Sequence, residues 1–250
     1  MIIVGAGRVG QALETRAAMR GVPCVLVSRR EGWEEIRPNG SGPILLATRN
    51  DDLVEVMARI PPERWPDVTL VQNGMLRPWI AEQNLPQVTR GLLFFAVAAR
   101  GDDLVPGGLS PFTGPRASAV VQWLQRIDVP AEVVDETSFR GTELEKLIWN
   151  CAFGLMCERY DVSVGTVVVH HREELRALVA EMNAVGGGAL GVQHDLGGLL
   201  ERLCDYSRSI ASYRGAVKEW AWRNGWFVSL CHEGATPMPV HDRLLQAIGR

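Results

Sequence analysis

Three glycines at fixed spacing, placed directly after a strand-like segment, constrain the fold of this chain more than any other feature. Residues 2–4 are apolar and β-branched, and a helical pattern runs from the glycine segment to about residue 20. The segment between them is Gly5-Ala6-Gly7-Arg8-Val9-Gly10. In this setting the first glycine permits a tight turn, the second lets the backbone approach a pyrophosphate, and the third lets the helix pack closely on the strand. We therefore expect this segment to bind the pyrophosphate of a dinucleotide at the helix N-terminus.

The end of the next apolar run predicts which dinucleotide is bound. Residues 24–27 form a strand-like run that ends in Ser28-Arg29-Arg30, where proteins that bind NAD usually carry an acidic residue for the ribose hydroxyls. A hydroxyl and two guanidinium groups instead suit the 2′-phosphate of NADP, because arginine binds phosphate through a fixed, always-charged fork. Arg49, at the end of the strand-like run 43–48, would add another cation at the same sheet edge. NADP is therefore the expected cofactor, and the alternative is that these arginines are solvated surface residues.

The hydrophobic pattern divides the chain into two parts. Further strand-like runs at 68–71, 92–97 and 131–134 and a helical run at 118–127 continue the α/β pattern to about residue 135. Beyond residue 138 the pattern is mostly helical, over 142–158, 173–191, 198–212 and 213–225, with a strand-like exception at 162–169 and a possible break at 186–188. We predict a Rossmann-type, doubly wound parallel α/β domain over residues 1–136 and a smaller, mainly α-helical domain over 137–250, with the substrate in a cleft between them.

Composition narrows the classes of partner. The chain has 250 residues, 46% of them hydrophobic, and a formal net charge of −3, so no basic surplus favours nucleic acid or anionic lipid. Five cysteines in no CxxC pair are typical of reduced thiols in a cytosolic protein, and neither cysteines nor histidines have metal-ligand spacing. The sequence lacks a secretory signal and any apolar run long enough for a membrane span. We expect a cytoplasmic protein that binds small molecules and no metal.

The helical half contains one lysine with an unusual setting. Lys146 and Asn150 are four residues apart and share a helix face, while Leu144, Leu147 and Ile148 can serve the core. Because Lys146 is flanked by leucine and isoleucine, partial desolvation is plausible. On spacing alone, a solvated surface lysine is the alternative.

Taken together, four stretches resemble the ketopantoate reductases (2-dehydropantoate 2-reductases), and they occur in that family's order across most of the chain. The first is the glycine segment with Arg29. The others are Gln72-Asn73-Gly74-Met75, Lys146-Leu147-Ile148-Trp149-Asn150-Cys151, and Glu219-Trp220-Ala221-Trp222-Arg223-Asn224-Gly225. The resemblance implies a second domain similar to the C-terminal domain of 6-phosphogluconate dehydrogenase. It also implies NADPH-dependent reduction of a small 2-oxo acid, with ketopantoate to pantoate as the best single expectation.

The resemblance also implies roles for catalytic residues. Lys146 would be the general acid, because an ammonium group stabilises the developing alkoxide and then protonates it. Glu219 matches a carboxylate that contacts the substrate hydroxyl and sets the environment of the lysine. Asn73 matches a turn residue that hydrogen-bonds near the lysine and also contacts the cofactor.

Binding residues follow from the same resemblance. Asn150 matches a substrate-binding amide, and Ser207 matches a substrate-binding serine, with Ser209 as the alternative if the alignment slips. Arg29 and Arg49 match positions where the family places cations near the 2′-phosphate.

Two departures from the family pattern concern the substrate. Gly154 and Val164 stand where members commonly carry asparagines that hold pantoate-like substrates. A different carbonyl substrate is therefore an alternative, as is a non-catalytic nucleotide-binding protein used for sensing or assembly. The aromatic group Trp220, Trp222, Trp226 and Phe227 is predicted to serve the core or a homodimer contact rather than a ligand platform.

Overall fold

The computed structural model describes residues 1–85, 87–234 and 236–250. The chain divides into two units, Met1–Phe139 and Arg140–Arg250. The predicted domain boundary between residues 136 and 137 falls in the first turn of a long helix, Glu136–Tyr160, that crosses this division. Within the described ranges, no helix is both long enough and apolar enough to cross a bilayer.

A mainly parallel sheet forms the centre of the first unit. In chain order its elements are β1 (Ile2–Val4), α1 (Arg8–Met19), β2 (Val25–Val27), β3 (Ile44–Leu46), α2 (Leu53–Arg59), β4 (Val68–Leu70), α3 (Arg77–Glu82), β5 (Thr89–Gly91), the hairpin β6 (Phe95–Ala96) and β7 (Val105–Pro106), β8 (Ser110–Thr113), α4 (Ala117–Arg126) and β9 (Ala131–Val133). The sheet order is β2-β1-β3-β4-β5-β8-β9. All its pairs are parallel except β5 with β8. The predicted Rossmann-type sheet is thus confirmed.

The position of β1 in this order creates the ligand edge of the sheet. Ile3 pairs with Leu26 of β2 on one side and with Leu45 of β3 on the other. The chain therefore leaves β1 where the strand order reverses, and crevices at such switch points bind ligands at the carboxyl ends of the strands. The glycine segment follows β1 directly, so the sheet topology itself places it at this crevice.

Helices α1 and α4 bury their apolar faces in the main core of this unit. Leu13 of α1 and Val120 and Leu124 of α4 are fully buried with Ile3 and Leu45 of the sheet. In α4 the buried positions recur at helical spacing, which explains why its pattern predicted the helix correctly.

One predicted strand is wrong, and three observed strands, β5, β7 and β8, were missed. The run 92–97 was predicted as a single strand, but β5 ends at Gly91 and only Phe95–Ala96 returns to a strand. The antiparallel strand β8 contains Pro111, which weakens a strand pattern. A Cβ atom at Gly91 would lie 2.1 Å from the ring of Phe112, so β5 can pair with β8 only because residue 91 lacks a side chain.

Replacing Gly10 by alanine is expected to destabilise the first unit by about 1–3 kcal/mol, the usual cost of overpacking. A Cβ atom at Gly10 would lie 1.9 Å from the carbonyl oxygen of Gly5, and backbone cannot move aside cheaply there. Gly7→Ala is the matched control, because a Cβ atom at Gly7 has no neighbour within 4 Å among the described residues and its φ is −83°. Urea unfolding of both variants measures the difference. Equal midpoints for the two variants would contradict this account of the loop.

The second unit is built from helices, as predicted. They are α5 (Glu136–Tyr160, which begins in the first unit), α6 (Val164–His170), α7 (Arg172–Leu190), α8 (Leu196–Ser209), α9 (Asn224–Gly234) and α10 (Pro239–Ala247), with a short 3-10 turn at Trp220–Trp222. Helix α7 packs against α6, α8, α9 and α10. The predicted break at 186–188 is wrong, since α7 continues to Leu190. A Cβ atom at Gly186 would lie 2.6 Å from Leu144 and 3.1 Å from Phe227, so this glycine lets helices approach closely.

Two other predictions in the helical half are corrected. Residues 162–169 were predicted as strand-like, but they form α6. Ser163 caps the N-terminus of this helix, and the helix buries Val164, Val167 and Val168 on one face. Residues 213–225 were predicted to be one helix, yet residues 213–218 are non-helical and α9 starts only at Asn224. A backbone carbonyl of this region accepts a hydrogen bond from another segment, since the N–H of Val164 donates to the carbonyl of Tyr213 at 2.9 Å.

The aromatic residues near the C-terminus are mostly core residues. Trp226 is 7% exposed and Phe227 is fully buried, and their rings meet edge to face with centroids 5.0 Å apart. Trp220 and Trp222 are partly buried. The core interpretation therefore holds for the two residues of α9.

A buried histidine is expected to make this protein less stable in acid. His241 is fully buried, its Nε2 lies 3.0 Å from Oδ1 of Asn224, and burial lowers its pKa to about 4, partly offset by Asp242. The folded state thus holds the ring neutral. The contribution of His241 to the free energy of unfolding is therefore complete above the unfolded pKa near 6.5 and is lost as pH falls toward 4. The limiting slope is about 1.4 kcal/mol per pH unit.

Urea unfolding of wild type and His241→Gln between about pH 7 and pH 4 tests this dependence. Glutamine retains an N–H donor for Asn224 and does not titrate, so the variant should lose stability less steeply in this range. Parallel curves for the two proteins would contradict the role of His241.

Candidate functional site

The crevice at the switch point is a cavity of about 420 Å³ within the first unit. Its floor is formed by Gly5, Ala6 and Gly7 after β1, and its sides include Ser28 after β2 and Thr48 after β3. These residues lie together because parallel strands bring their carboxyl ends to one sheet edge. A cavity of this size is typical of a small-molecule or cofactor site.

The glycine segment has the backbone geometry that a phosphate requires. Gly5 adopts φ of +118°, which favours glycine, and a Cβ atom there would lie 2.7 Å from the carbonyl oxygen of Ala47. Gly7 is the N-terminal cap residue of α1 and makes no side-chain cap, and the first turn of the helix contains no acidic residue. The first N–H groups of α1 and its dipole therefore remain suited to an anion over Gly7.

Arginines from separate segments surround the outer part of the cavity. Arg29, Arg30 and Arg49, predicted from sequence as the cationic group, all line it, and Arg59 and Arg100 join them. Arg29 and Arg49 are 73% and 81% exposed at their side chains, so they can turn toward a ligand. Their carboxylate contacts are loose, at 3.4 Å from Arg29 to Asp52 and 3.9 Å from Arg49 to Asp51.

Trp33 and Arg59 complete the cavity wall and were missed by sequence reasoning. The guanidinium carbon of Arg59 lies 3.7 Å from the centroid of the Trp33 ring, a cation–π contact, and Arg59 also donates to the carbonyl of Arg29 at 2.9 Å. The indole N–H of Trp33 donates to the carbonyl of Ser28 at 2.8 Å. No local motif marks these residues, because Arg59 is the last residue of α2 and reaches the β2 loop only in the folded chain.

Arg100 is a second residue that sequence reasoning missed. Its side chain donates to the carbonyl of Ala6 at 2.8 Å and to the side chain of Gln11 at 2.9 Å. It therefore braces the glycine segment from a position far along the chain. Arg8, predicted to bind cofactor, donates to the carbonyl of Ala98 at 3.3 Å. Arg8, Val9 and Gly10 do not line the cavity, and their contacts with a cofactor stay predictions.

The residues present fit a phosphorylated dinucleotide. The lining combines an open glycine turn with several arginines and only Asp52 and Glu55 as carboxylates. Thr48 adds a buried hydroxyl oxygen that has no hydrogen-bond partner among the described residues. When a nicotinamide dinucleotide is bound, Gly5, Ala6 and Gly7 would hold the pyrophosphate, and Ser28, Arg29 and Arg49 would hold the adenosine end.

The turn after β4 holds Asn73 at the same edge of the sheet. Asn50 donates from its side chain to the carbonyl of Asn73 at 2.9 Å, and Gln72 donates to the carbonyl of Leu46 at 2.8 Å. Gly74 follows with φ of +96°. The backbone of this turn is thus fixed by two buried amides, and the side chain of Asn73 is left exposed.

In the second unit, Lys146 lies on α5 and keeps only part of its surface exposed. Burial lowers its pKa to about 8, and the positive charge of Arg223 lowers it further in the same direction. Asn150 lies one turn later and donates from its side-chain amide to the carbonyl of Lys146 at 2.8 Å. A lysine in this state can release a proton near neutral pH, which an ordinary surface lysine with a pKa near 10.4 does not do readily.

Glu219 lies outside any helix, contrary to the prediction for its segment. It occupies a left-handed conformation, with φ of +48°, just before the 3-10 turn at Trp220–Trp222. Its Oε2 forms an ion pair with Nη2 of Arg223 at 2.6 Å. The carboxylate therefore has a defined partner within its own segment, which the spacing of the motif did not reveal.

Ser207 has a structural setting. It is fully buried on α8, where its hydroxyl donates to the carbonyl of Leu203 at 2.8 Å and accepts from the indole N–H of Trp149 at 3.0 Å. The alternative residue Ser209 is exposed and donates to the carbonyl of Tyr206 at 2.7 Å. The contacts of Ser207 join α8 to α5, and a substrate contact for either serine stays a prediction.

Packing explains the two departures from the ketopantoate reductase pattern. A Cβ atom at Gly154 would lie 2.7 Å from the carbonyl oxygen of Ala216, because the segment 213–218 crosses α5 there. Glu158 ties this segment down by accepting from the N–H of Val217 at 2.7 Å. Val164 is fully buried beside the same segment. A side chain at position 154 would collide with the backbone of Ala216, and the apolar side chain of Val164 suits its fully buried position.

Solved structures similar to this chain include ketopantoate reductases and a D-mandelate dehydrogenase. D-mandelate dehydrogenase in a ternary complex with NADH and anilino(oxo)acetate superposes with a TM-score of 0.77 at 15% identity, covering 100% of this chain and 97% of that one. A ketopantoate reductase from Ralstonia eutropha JMP134 gives 0.76 at 18% identity, with 100% and 97% covered. A 2-dehydropantoate 2-reductase from Geobacter metallireducens GS-15 gives 0.77 at 14% identity, with 100% and 99% covered.

By sequence, no family model and no curated protein matches this chain. At such low identity, the structural matches establish a shared fold over the full length of the chain. They confirm the resemblance to ketopantoate reductases at the level of fold. Among the described residues no group of three or more potential metal ligands is found.

Proposed function

We propose that this protein reduces a small 2-oxo acid with NADPH. The observation that carries the proposal is Lys146, a partly buried lysine whose pKa is lowered to about 8, in a chain that also provides a glycine turn and an arginine-lined cavity. The fold is one in which similar structures include reductases of 2-oxo acids. The chain thus offers a cavity suited to the cofactor and a lysine suited to donate the proton.

In the proposed reaction Lys146 acts as general acid. Bound NADPH supplies a hydride to the carbonyl carbon of the substrate. As negative charge develops on the carbonyl oxygen, the ammonium group of Lys146 stabilises it and then transfers a proton from Nζ to that oxygen. Asn150 fixes the first turn after Lys146 by donating to its carbonyl, and its side-chain oxygen stays available to a substrate hydroxyl.

The choice of lysine at this position supports the acid role. The sequence contains two lysines, Lys146 and Lys218, whereas Lys and Arg together number 26. Arginine therefore serves almost every cationic position of the chain, and it cannot donate its proton in the physiological range. A lysine at position 146 supplies the property that arginine lacks.

NADPH is preferred over NADH in this proposal because of the charges around the cavity. Ser28, Arg29 and Arg49 line the cavity and are proposed to hold the 2′-phosphate, and Arg59, which also lines it, stacks on the ring of Trp33. The similar D-mandelate dehydrogenase was solved with NADH, so the fold by itself does not select the phosphorylated cofactor. The arginines of this chain are the basis of the preference.

Ketopantoate is the first candidate substrate, and an aromatic 2-oxo acid is the second. The second is favoured by an aromatic cluster next to Lys146 on α5. The Trp149 ring lies 4.9 Å from that of Tyr206 and 6.2 Å from that of Tyr213, and both tyrosines are nearly half exposed. Loss of the amides at positions 154 and 164 also favours a less polar substrate.

A panel of 2-oxo acids assayed with NADPH and NADH tests the proposal. We expect oxidation of NADPH by ketopantoate or phenylglyoxylate, and weaker activity with NADH. Activity only with NADH would reject the cofactor preference. Tight NADPH binding without oxidation by any 2-oxo acid would reject the enzyme and favour a nucleotide-binding protein.

A further inference from the structure

Arg223 is a buried cation whose hydrogen-bonding capacity is not fully used. Its side chain is 10% exposed, and its Nε is buried without a hydrogen-bond partner among the described residues. Its ion pair with Glu219 uses Nη2. A buried guanidinium with an unsatisfied N–H is costly, because removal from water is offset only by well-placed acceptors. The site therefore favours an additional anionic acceptor.

Arg223, whose Nε lacks a partner in the described part of the chain, acts electrostatically on the proposed general acid, Lys146. Arg223 lies between the 3-10 turn at Trp220–Trp222 and the first residue of α9. Its charge acts on two residues of α5: it contributes to the lowered pKa of Lys146 and opposes the effect of burial, which raises the pKa of Cys151. Arg223 is thus a cation close enough to Lys146 to act on its charge, and the carboxylate of Glu219 pairs with Arg223.

We propose that Arg223 binds the carboxylate of the 2-oxo acid and so orients its carbonyl toward Lys146, with Glu219 as the positioning residue of Arg223. This inference rests on the proposed function and adds the residue that recognises the acid group. The planar fork of a guanidinium matches a carboxylate and fixes its plane, which a single ammonium group does not do. In a 2-oxo acid the carboxylate is bonded directly to the reacting carbonyl, so orienting one group orients the other.

The packing of the unit supports a carboxylate site at Arg223. Amides at positions 154 and 164 are replaced by Gly154 and Val164, and residues 211–217 pack over both positions. Ser207 is buried and uses its hydroxyl between α5 and α8. Polar groups that the family resemblance assigned to the substrate are thus absent at positions 154 and 164 and engaged at Ser207, whereas Nε of Arg223 has no partner among the described residues.

The role assigned to Glu219 changes accordingly. The family resemblance implies a carboxylate that contacts a substrate hydroxyl, but here Glu219 holds Nη2 of Arg223 at 2.6 Å. Its main effect in this proposal is to fix the plane of the guanidinium. We therefore expect 2-oxo acids without a hydroxyl group to be reduced about as well as hydroxylated ones of similar size.

The test compares Arg223→Gln and Arg223→Lys with Arg243→Gln, an exposed arginine of the same unit that pairs with Glu174. Circular dichroism and thermal unfolding establish that each variant is folded. Steady-state assays then give KM and kcat for a 2-oxo acid and for its ethyl ester, and calorimetry gives the Kd of oxamate for the NADP-loaded protein. The ester lacks the charge that Arg223 is proposed to bind.

For Arg223→Gln we expect KM for the acid and Kd for oxamate to rise on the order of 100-fold, as for truncation of one partner of a buried charge pair. Values of kcat/KM for the ester should stay within a few-fold of wild type, and Arg223→Lys should recover only part of the loss. Arg243→Gln should resemble wild type throughout.

Two results would overturn the inference while leaving the proposed function intact. One is a folded, active Arg223→Gln variant with unchanged KM and oxamate affinity. The other is an equal loss for acid and ester, which would mean that Arg223 acts through Lys146 alone. A wild-type protein that neither reduces any 2-oxo acid nor binds oxamate would instead reject the proposed function and this inference together.

Discussion

Replacing Lys146 by alanine is expected to lower kcat for 2-oxo acid reduction by about 10²- to 10⁴-fold, the usual contribution of a positioned general acid. NADPH affinity should be unchanged, because the arginines and the glycine turn that are proposed to hold the cofactor belong to the first unit. Removing the ammonium group leaves the developing alkoxide without its proton donor and without its nearest positive charge. Stopped-flow reduction and NADPH fluorescence titration measure the two quantities separately.

Lys218→Ala is the natural control, since Lys218 is the other lysine of the sequence and is exposed. It should keep wild-type kcat and KM. If Lys146→Ala reduced the substrate at the wild-type rate, Lys146 would be a surface residue and the proposed chemistry would need another acid.

The lowered pKa of Lys146 adds a pH signature to the same prediction. The acid must be protonated to act, so kcat/KM for reduction should fall as pH rises through about 8. Side-chain isotope labelling of lysine is informative here because the chain would show only two lysine signals. The signal lost in Lys146→Ala should titrate near pH 8, and the signal of Lys218 serves as reference. Titration of the Lys146 signal near pH 10, the range of an ordinary lysine, would contradict the assignment.

Replacing Arg29 and Arg49 together by glutamine is expected to weaken NADPH binding by about 10- to 100-fold and to leave NADH binding nearly unchanged. Hydrogen bonds to charged groups contribute about 1.5–3 kcal/mol each. We take the low end because both side chains are largely exposed, at 73% and 81%. Kd values for both cofactors on the same variant provide the comparison, and NADH is the internal control.

Arg37→Gln offers a matched control for this pair, because Arg37 is an exposed arginine that does not line the cavity. Its affinity for either cofactor should match wild type. Equal weakening of NADPH and NADH in the double variant would mean that Arg29 and Arg49 stabilise the fold or the pyrophosphate rather than a 2′-phosphate. Unchanged NADPH binding would assign the preference to Arg59 or Arg30, which share the cavity.

Local patterns predicted the elements whose residues are adjacent in sequence. The glycine segment, α1 and α4 follow from spacing over a few residues, and Lys146 and Asn150 share a helix face for the same reason. The strand-like interpretation of 162–169 failed because a Ser163 cap and burial at helical spacing outweigh the β-branched composition. The predicted helix over 213–225 failed because contacts with α5 and α6 hold residues 213–218 in a non-helical path.

The sequence by itself determined the glycine turn, the cationic group after β2 and the candidate lysine, since each depends on neighbours along the chain. Tertiary structure decided how these groups are supported. Arg59 stacks on Trp33, and Arg100 donates a hydrogen bond to the carbonyl of Ala6. The charge of Arg223 helps to lower the pKa of Lys146. It also decided that residue 154 must be glycine, because Ala216 lies against it. Such contacts join segments tens of residues apart, and their energies depend on distances that sequence spacing does not encode.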